Sequence, residues 1–330
     1  MAKITSGQHF VPRTYLKHFA ERNKQGTNQI TCFHNDLTTP YYKTNIENVC
    51  QQNHLYTIEI AGASKKQRDL LDEFYENNFE NDYNQIFNIL TDETIFKITK
   101  EQKNKIIGTV ISMYFRVAKW LNTSKTIQKA AIKHLVKISK EIGNYDVKLN
   151  ENNYWNIKNK SVEELLNELK YDRKLRFYIF QLKGYSDLIK KRSNDKIIIY
   201  KSFGDDEFIT SDVPITLNNN IAELSTNIIS ESHIMLHISP KYCLTIIPND
   251  KENLELIRVD MDSANSKLYS SLNNHNQFRN SERYILGTNS GIIKYLRIRD
   301  DLNDKEYINE MRSNAKESLN KLLLAKRENK

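Results

Sequence analysis

Proline and glycine are scarce in this 330-residue sequence, at 5 and 9 residues. So few turn formers exclude an all-β sandwich of this length and favour long helices. Cysteine is scarcer still: Cys32, Cys50 and Cys243 are odd in number and far apart. That leaves no disulfide framework and no C-x-x-C zinc site, and it points to a reducing compartment. No run approaches the roughly 18 uninterrupted apolar residues of a spanning helix, and residues 1–11 are polar where a signal peptide has an apolar core. A cytoplasmic protein with no membrane partner is expected. A Walker-type glycine-rich loop, G-x-G-x-x-G, H-E-x-x-H and G-x-S-x-G are all missing. Their absence disfavours P-loop hydrolysis, zincin proteolysis and hydrolase-elbow catalysis, and no cofactor is indicated.

What is present is a core and a charge. Apolar residues make up 39% and aromatics 10%, with 18 tyrosines and 13 phenylalanines, enough to bury a real core. Lysine and arginine exceed aspartate and glutamate by 49 to 41, and the resulting +8 inclines toward anionic partners such as RNA or DNA. The hydrophobic period changes along the chain. Short β-branched and aromatic runs at 30–33, 41–43 and 54–60 predict a small antiparallel sheet. Period-3.6 patterns predict helices over 64–92, 107–121 and 126–142, the last stopped by Gly143. An Asn- and Lys-rich exposed excursion follows at 144–160, and Ser161 with Glu164 forms a capping box for a helix that breaks near Gly184. Strands are expected at 197–200, 207–209, 233–238, 243–247 and 283–286, a helix over 262–277 and a charged helix over 304–325. The fold class is therefore α+β, in segments 1–63, 64–193 and 194–330. A helix-rich lobe packs on a small mixed or antiparallel sheet built from N-terminal and C-terminal strands.

Several groups of residues carry a resemblance. They are His9-Phe-Val-Pro-Arg-Thr-Tyr-Leu16 with Phe19, Cys50 with Tyr56, Glu80-Asn-Asp-Tyr83 with Ile86, Phe208-Ile-Thr-Ser-Asp-Val-Pro214, Ser239-Pro240, and Asn273 with Arg283-Tyr284. In these the sequence resembles, over nearly its whole length, the bacterial family called domain of unknown function 4238 (DUF4238). Val213 stands where the family often has asparagine. The resemblance names no chemistry. It implies a bacterial, mobile setting, with a role in conflict or defence and a protein partner from the same operon.

Pro12 and Pro214 hold two polar motifs rigid, far apart in the chain, which gives them a reason to meet in a site. His9 has a pKa suited to acid–base work, Asp212 can orient the imidazole, and Arg13 can neutralise a phosphate. Tyr15, Ser211 and Arg283 are the candidate substrate contacts; the Thr-Ser-Asp-x-Pro motif equally suits a strand-exit turn in which the Ser and Asp oxygens cap backbone amides. Lys129, Lys133 and Lys137, flanked by Lys125 and Lys140, form either a ridge for nucleic acid or a plain solvated helix face, while Ile127, Ala131, Leu135, Ile138 and Ile142 point into the core. The leading expectation is a nucleic-acid-directed phosphodiesterase, a nuclease-like effector of antiphage defence or toxin type. The alternative is a non-catalytic nucleic-acid- or protein-binding sensor module. Convergence of imidazole and carboxylate in an open basic cleft favours the first; burial with satisfied hydrogen bonds favours the second. Glu73 and Glu80 are placed to hold a divalent ion, but an ion pair with Arg116 is favoured and no metal site is assigned. Arg13 and His18 mimic the R-x-x-x-x-H of HEPN ribonucleases at the wrong end of the chain, so His18 is read as a surface residue.

Overall fold

The chain opens with β1 (Gly7–His9), which pairs antiparallel with β5 (Gln51–Asn53) in a two-stranded ribbon. The computed structural model describes residues 7–57, 69–151, 153–218 and 231–301 and the isolated Ser313. One five-stranded sheet joins the two ends of the chain. In it β3 (Asn28–His34) pairs with β2 (Glu21–Arg22), β4 (Tyr42–Asn45) and β14 (Tyr284–Gly287), and β14 pairs with β9 (Thr210–Ser211), all antiparallel. A second five-stranded sheet is wholly C-terminal, in the order β10 (Ile215–Asn218), β11 (His233–His237), β12 (Tyr242–Ile247), β8 (Lys196–Lys201), β13 (Leu256–Asp260), with β13 parallel to β8. Where one small sheet was expected, the described residues hold these two five-stranded sheets besides two-stranded pairs. The run Ile197-Ile-Ile-Tyr200 is apolar throughout because β8 is covered on both faces. Ile197 and Ile199 join the large core, and Ile198 and Tyr200 join Met235, Val259 and Tyr269.

The helices are α1 (Arg13–Leu16), α2 (Leu70–Tyr75), α3 (Tyr83–Thr91), α4 (Lys100–Phe115), α5 (Ala118–Ile142), α6 (Val162–Glu168), α7 (Lys170–Arg192), α8 (Ser263–Asn280) and α9 (Asn289–Ile298). The α+β class stands. Capping boxes at Thr99 with Gln102 and at Ser161 with Glu164 start α4 and α6. Gly143, at φ 70°, ends α5 in the left-handed conformation.

Local pattern and tertiary contacts disagree at several points. The helix expected over 107–121 is cut after Arg116, whose carbonyl accepts from the Tyr56 hydroxyl at 2.5 Å, and Val117 is extended. The expected break at Gly184 is absent; the chain breaks at Leu169 instead, between α6 and α7. The helix expected over 64–92 holds a π-type turn at Glu76–Glu80, and its start at 64–68 lies outside the described residues. The excursion at 144–160 is a hairpin of β6 (Asp146–Asn150) and β7 (Asn153–Asn156), packed with Ile157, Ile132 and Leu165. That packing turns α5: Ile132 and Ser139 are buried, whereas Ile127, Ala131, Ile138 and Ile142, expected inside, are exposed. The charged helix expected over 304–325 lies outside the described residues apart from Ser313.

Candidate functional site

The segment from Phe208 to Pro214 sits where the two sheets meet α8, and its polar atoms are used up internally. The Asp212 carboxylate accepts from the backbone amides of Glu282 at 3.0 Å and Arg283 at 2.8 Å, and the Asp212 amide donates to the Tyr284 carbonyl. Ser211 Oγ accepts from the Val213 amide at 3.1 Å and donates to Gln277 Oε1 at 2.8 Å. From α8, Asn274 pairs with the backbone of Ile209 and Glu207, Gln277 donates to the Pro214 carbonyl, and Asn280 donates to the Ile215 carbonyl. These amides at three-residue spacing stand in for missing strand neighbours, and that spacing was the one signal in the sequence that marked them. Tyr15 is fully buried and donates to the His237 carbonyl at 2.7 Å, with Thr210 Oγ1 at 2.6 Å. Tyr15 and Ser211, expected on a substrate, instead hold the fold. Burial pushes Asp212 up to about 6 against the opposing pull of the 282–284 amides.

His9 lies elsewhere. Its position on β1, opposite Gln51, brings it to Arg13, Glu80 and Arg116 rather than to Asp212. Burial first, then Arg13 and Arg116, hold its pKa below the ordinary value, opposed by the Glu47 backbone and Glu80. Its Nε2 has no hydrogen-bond partner among the described residues, which leaves Nδ1 for the Glu47 backbone. Arg13 is exposed and pairs with Glu47 at 3.5 Å. Arg116 is fully buried: Nη2 donates to the His9 carbonyl at 2.8 Å and to Glu80 Oε1 at 2.6 Å, and the guanidinium lies 4.5 Å from the Tyr75 ring. Glu80 thus forms the ion pair favoured for it. Among the described residues no group of three or more His, Cys, Asp or Glu is placed to hold a metal ion. His18, read as a surface residue, is stacked on Phe87 with ring centroids 3.5 Å apart and depressed to about 4 by burial.

Two open grooves complete the picture. Arg283, exposed, lines one of about 520 Å³ together with Asn48, Gln51, Gln52, Tyr284 and Asn122. Asn122 also lines the second, of about 450 Å³, which runs along α5 past Lys125, Lys129 and Lys133. Lys129 is paired with Glu163, and Lys137, outside the groove lining, approaches Glu141 at 4.0 Å. The sequence marked the cations but not that Asn122 borders both the lysine groove and the one lined by Arg283.

No helix among the described residues is long and apolar enough to cross a membrane. A family model described as a protein of unknown function (DUF4238) matches residues 7–291, and the chain belongs to that family. No curated protein and no solved structure matches it.

Proposed function

We propose that this member of the DUF4238 family binds a nucleic acid along the two adjoining grooves, with the α5 lysines on the phosphates and Arg283 at the far end. The observation that carries this reading is that Asn122 lines both grooves, so the α5 lysines and Arg283 border adjoining concavities. A strand presents phosphates in a row, and lysines four apart on one helix offer cations in a row. The competing pairs with Glu163 and Glu141 are exposed, so they stabilise little and give way to phosphate. The burial of Asp212 and Ser211, with their hydrogen bonds satisfied, supports binding over catalysis by that motif. The test is anisotropy of labelled oligonucleotides over a salt series, with wild type and a Lys129→Gln, Lys133→Gln, Lys137→Gln variant. The variant is expected to bind more weakly, with a salt slope shallower by about 0.7–0.9 for each phosphate it no longer neutralises. Unchanged affinity and slope would make the ridge a solvated surface and end the proposal.

Cleavage of the bound strand is a second reading, favoured by the unpartnered Nε2 of His9 beside Glu80 and Arg13; that atom is buried and His9 lines neither groove, so this reading requires the site to open onto the strand. A lowered pKa keeps this imidazole neutral near pH 7, the state a general base requires. The protein would then be a nuclease-like effector of the conflict or defence type. His9→Gln is expected to abolish cleavage and spare binding. Cleavage that persists in the variant removes His9 from the reaction.

A further inference from the structure

Tyr42, His34 and Tyr284 form a row of rings on one face of the first sheet. Register dictates this: Tyr284 lies opposite His34, and Tyr42 lies opposite Cys32, two residues from His34, so all three side chains leave the same face. The rings follow one another, with centroids 5.1 Å apart from His34 to Tyr284 and 6.1 Å from His34 to Tyr42. The Arg283 guanidinium lies over the Tyr284 ring, 4.8 Å from its centroid, and presents its own plane at that end of the row. Further along the same face Ile30, Cys32 and Leu286 are buried in the core, so the rings mark where the cover stops. Tyr42 is 39% exposed, and His34 and Tyr284 are half-buried.

The surroundings select a planar, uncharged occupant. Tyr284 and Arg283 line the groove that also holds Asn48, Gln51, Gln52 and Asn122, whose amides offer both donors and acceptors. Glu282 lines the same groove and repels phosphate there, while it can accept from a base amino group. Phosphate-seeking lysines lie in the adjoining groove on α5. We infer that the Tyr42–His34–Tyr284–Arg283 row is a stacking platform for unpaired bases, so that the nucleic acid bound is single-stranded. Aromatic rings and guanidinium planes on a sheet take splayed bases, whereas a duplex keeps its bases stacked inside. This inference rests on the nucleic-acid reading of the grooves and names its substrate class.

Three probes of equal length decide it: a single strand, the same strand with abasic sites, and the duplex. Wild type is expected to bind the intact single strand about tenfold or more tighter than the abasic strand, since each stacked base contributes on that scale. Tyr284→Ala, and separately Tyr42→Ala on strand β4, are expected to remove most of that preference, weakening the intact strand several-fold more than the abasic strand or the duplex. Tyr284→Phe should keep it. Circular dichroism and melting temperature check that the variants fold, and the abasic comparison on wild type needs no variant. Equal binding of intact and abasic strands overturns the platform and leaves the lysine groove standing. Failure of all three probes to bind overturns the groove reading, and the platform falls with it.

Discussion

Buried histidines set the acid side of this protein's stability. Desolvation holds His18 and His237 down to about 4, and His9 is lowered by burial and by Arg13. Each takes up a proton more readily in the unfolded chain, where its pKa is about 6.5. The stability they contribute is full above that value and is lost as pH falls through the folded value. Asp195 and Asp212 act in the opposite sense. Burial raises each from 3.8 to about 6, so their contribution is present below 3.8 and is lost as pH rises through about 6. The two effects overlap between about pH 4 and 6.5, and single variants separate them. His237→Asn places an amide donor at the Nδ1 position for the Ile209 carbonyl, to which the His237 ring is hydrogen-bonded, yet cannot titrate. Its melting temperature is expected to fall less than that of wild type between about pH 7 and pH 5; equal falls would show that His237 does not set the acid limit. Asp212→Asn leaves one of two backbone amides without a good acceptor and is expected to cost about 1–3 kcal/mol near pH 7 with oligonucleotide affinity unchanged. A loss of affinity without a loss of stability would return this carboxylate to a binding role.

At the scale of single elements, contacts decide what periodicity leaves open. Gly184 reads as a helix breaker, but it lies inside α7, and a Cβ there would sit 2.8 Å from two ring carbons of Phe115. Helix propensity alone favours alanine by about 1 kcal/mol. Gly184→Ala is nevertheless expected to destabilise by about 1–3 kcal/mol through overpacking. A rise in the urea midpoint would mean that Phe115 moves aside freely. Helix α5 illustrates the same limit. Ile127, Ala131, Ile138 and Ile142 follow helical spacing, and so do Ile132, Leu135, Val136 and Ser139. Only the arrival of α6 and the β6–β7 hairpin selects the second face. Runs such as Ile197-Ile-Ile-Tyr200 and the strands at 233–237 and 242–247 were legible because β-branched residues leave no comparable ambiguity. In the candidate site, His9 and Arg13 were legible as neighbours because they lie close together in the chain. The capping role of Asp212 was legible from the Thr-Ser-Asp-x-Pro turn, but the amides it caps were not, because they lie 70 residues away.

At the scale of the whole molecule, one buried cation ties segments that are distant in sequence. Arg116 ends α4 and donates to the His9 carbonyl on β1 and to Glu80 before α3, while its own carbonyl accepts from Tyr56 beyond β5. Its guanidinium lies against Tyr75 on α2, whose hydroxyl donates to Gln181 on α7 at 2.5 Å. Nε and Nη1 have no hydrogen-bond partner among the described residues, so Glu80 and the tyrosine rings carry the compensation for burying the charge. Lysine is no substitute here, because a single ammonium cannot reach both acceptors while lying flat on a ring. Arg116→Lys is expected to destabilise almost as much as Arg116→Met, with the latter costing about 3–5 kcal/mol because Glu80 loses its partner. Glu80→Gln should cost less in the Arg116→Met background than alone, with a coupling of about 0.5–3 kcal/mol measured by urea unfolding. Additive costs would mean that the ring contacts, not the ion pair, join the N-terminal ribbon to the helical lobe. An Arg116→Met protein within about 0.5 kcal/mol of wild type would mean that the two parts are held together elsewhere.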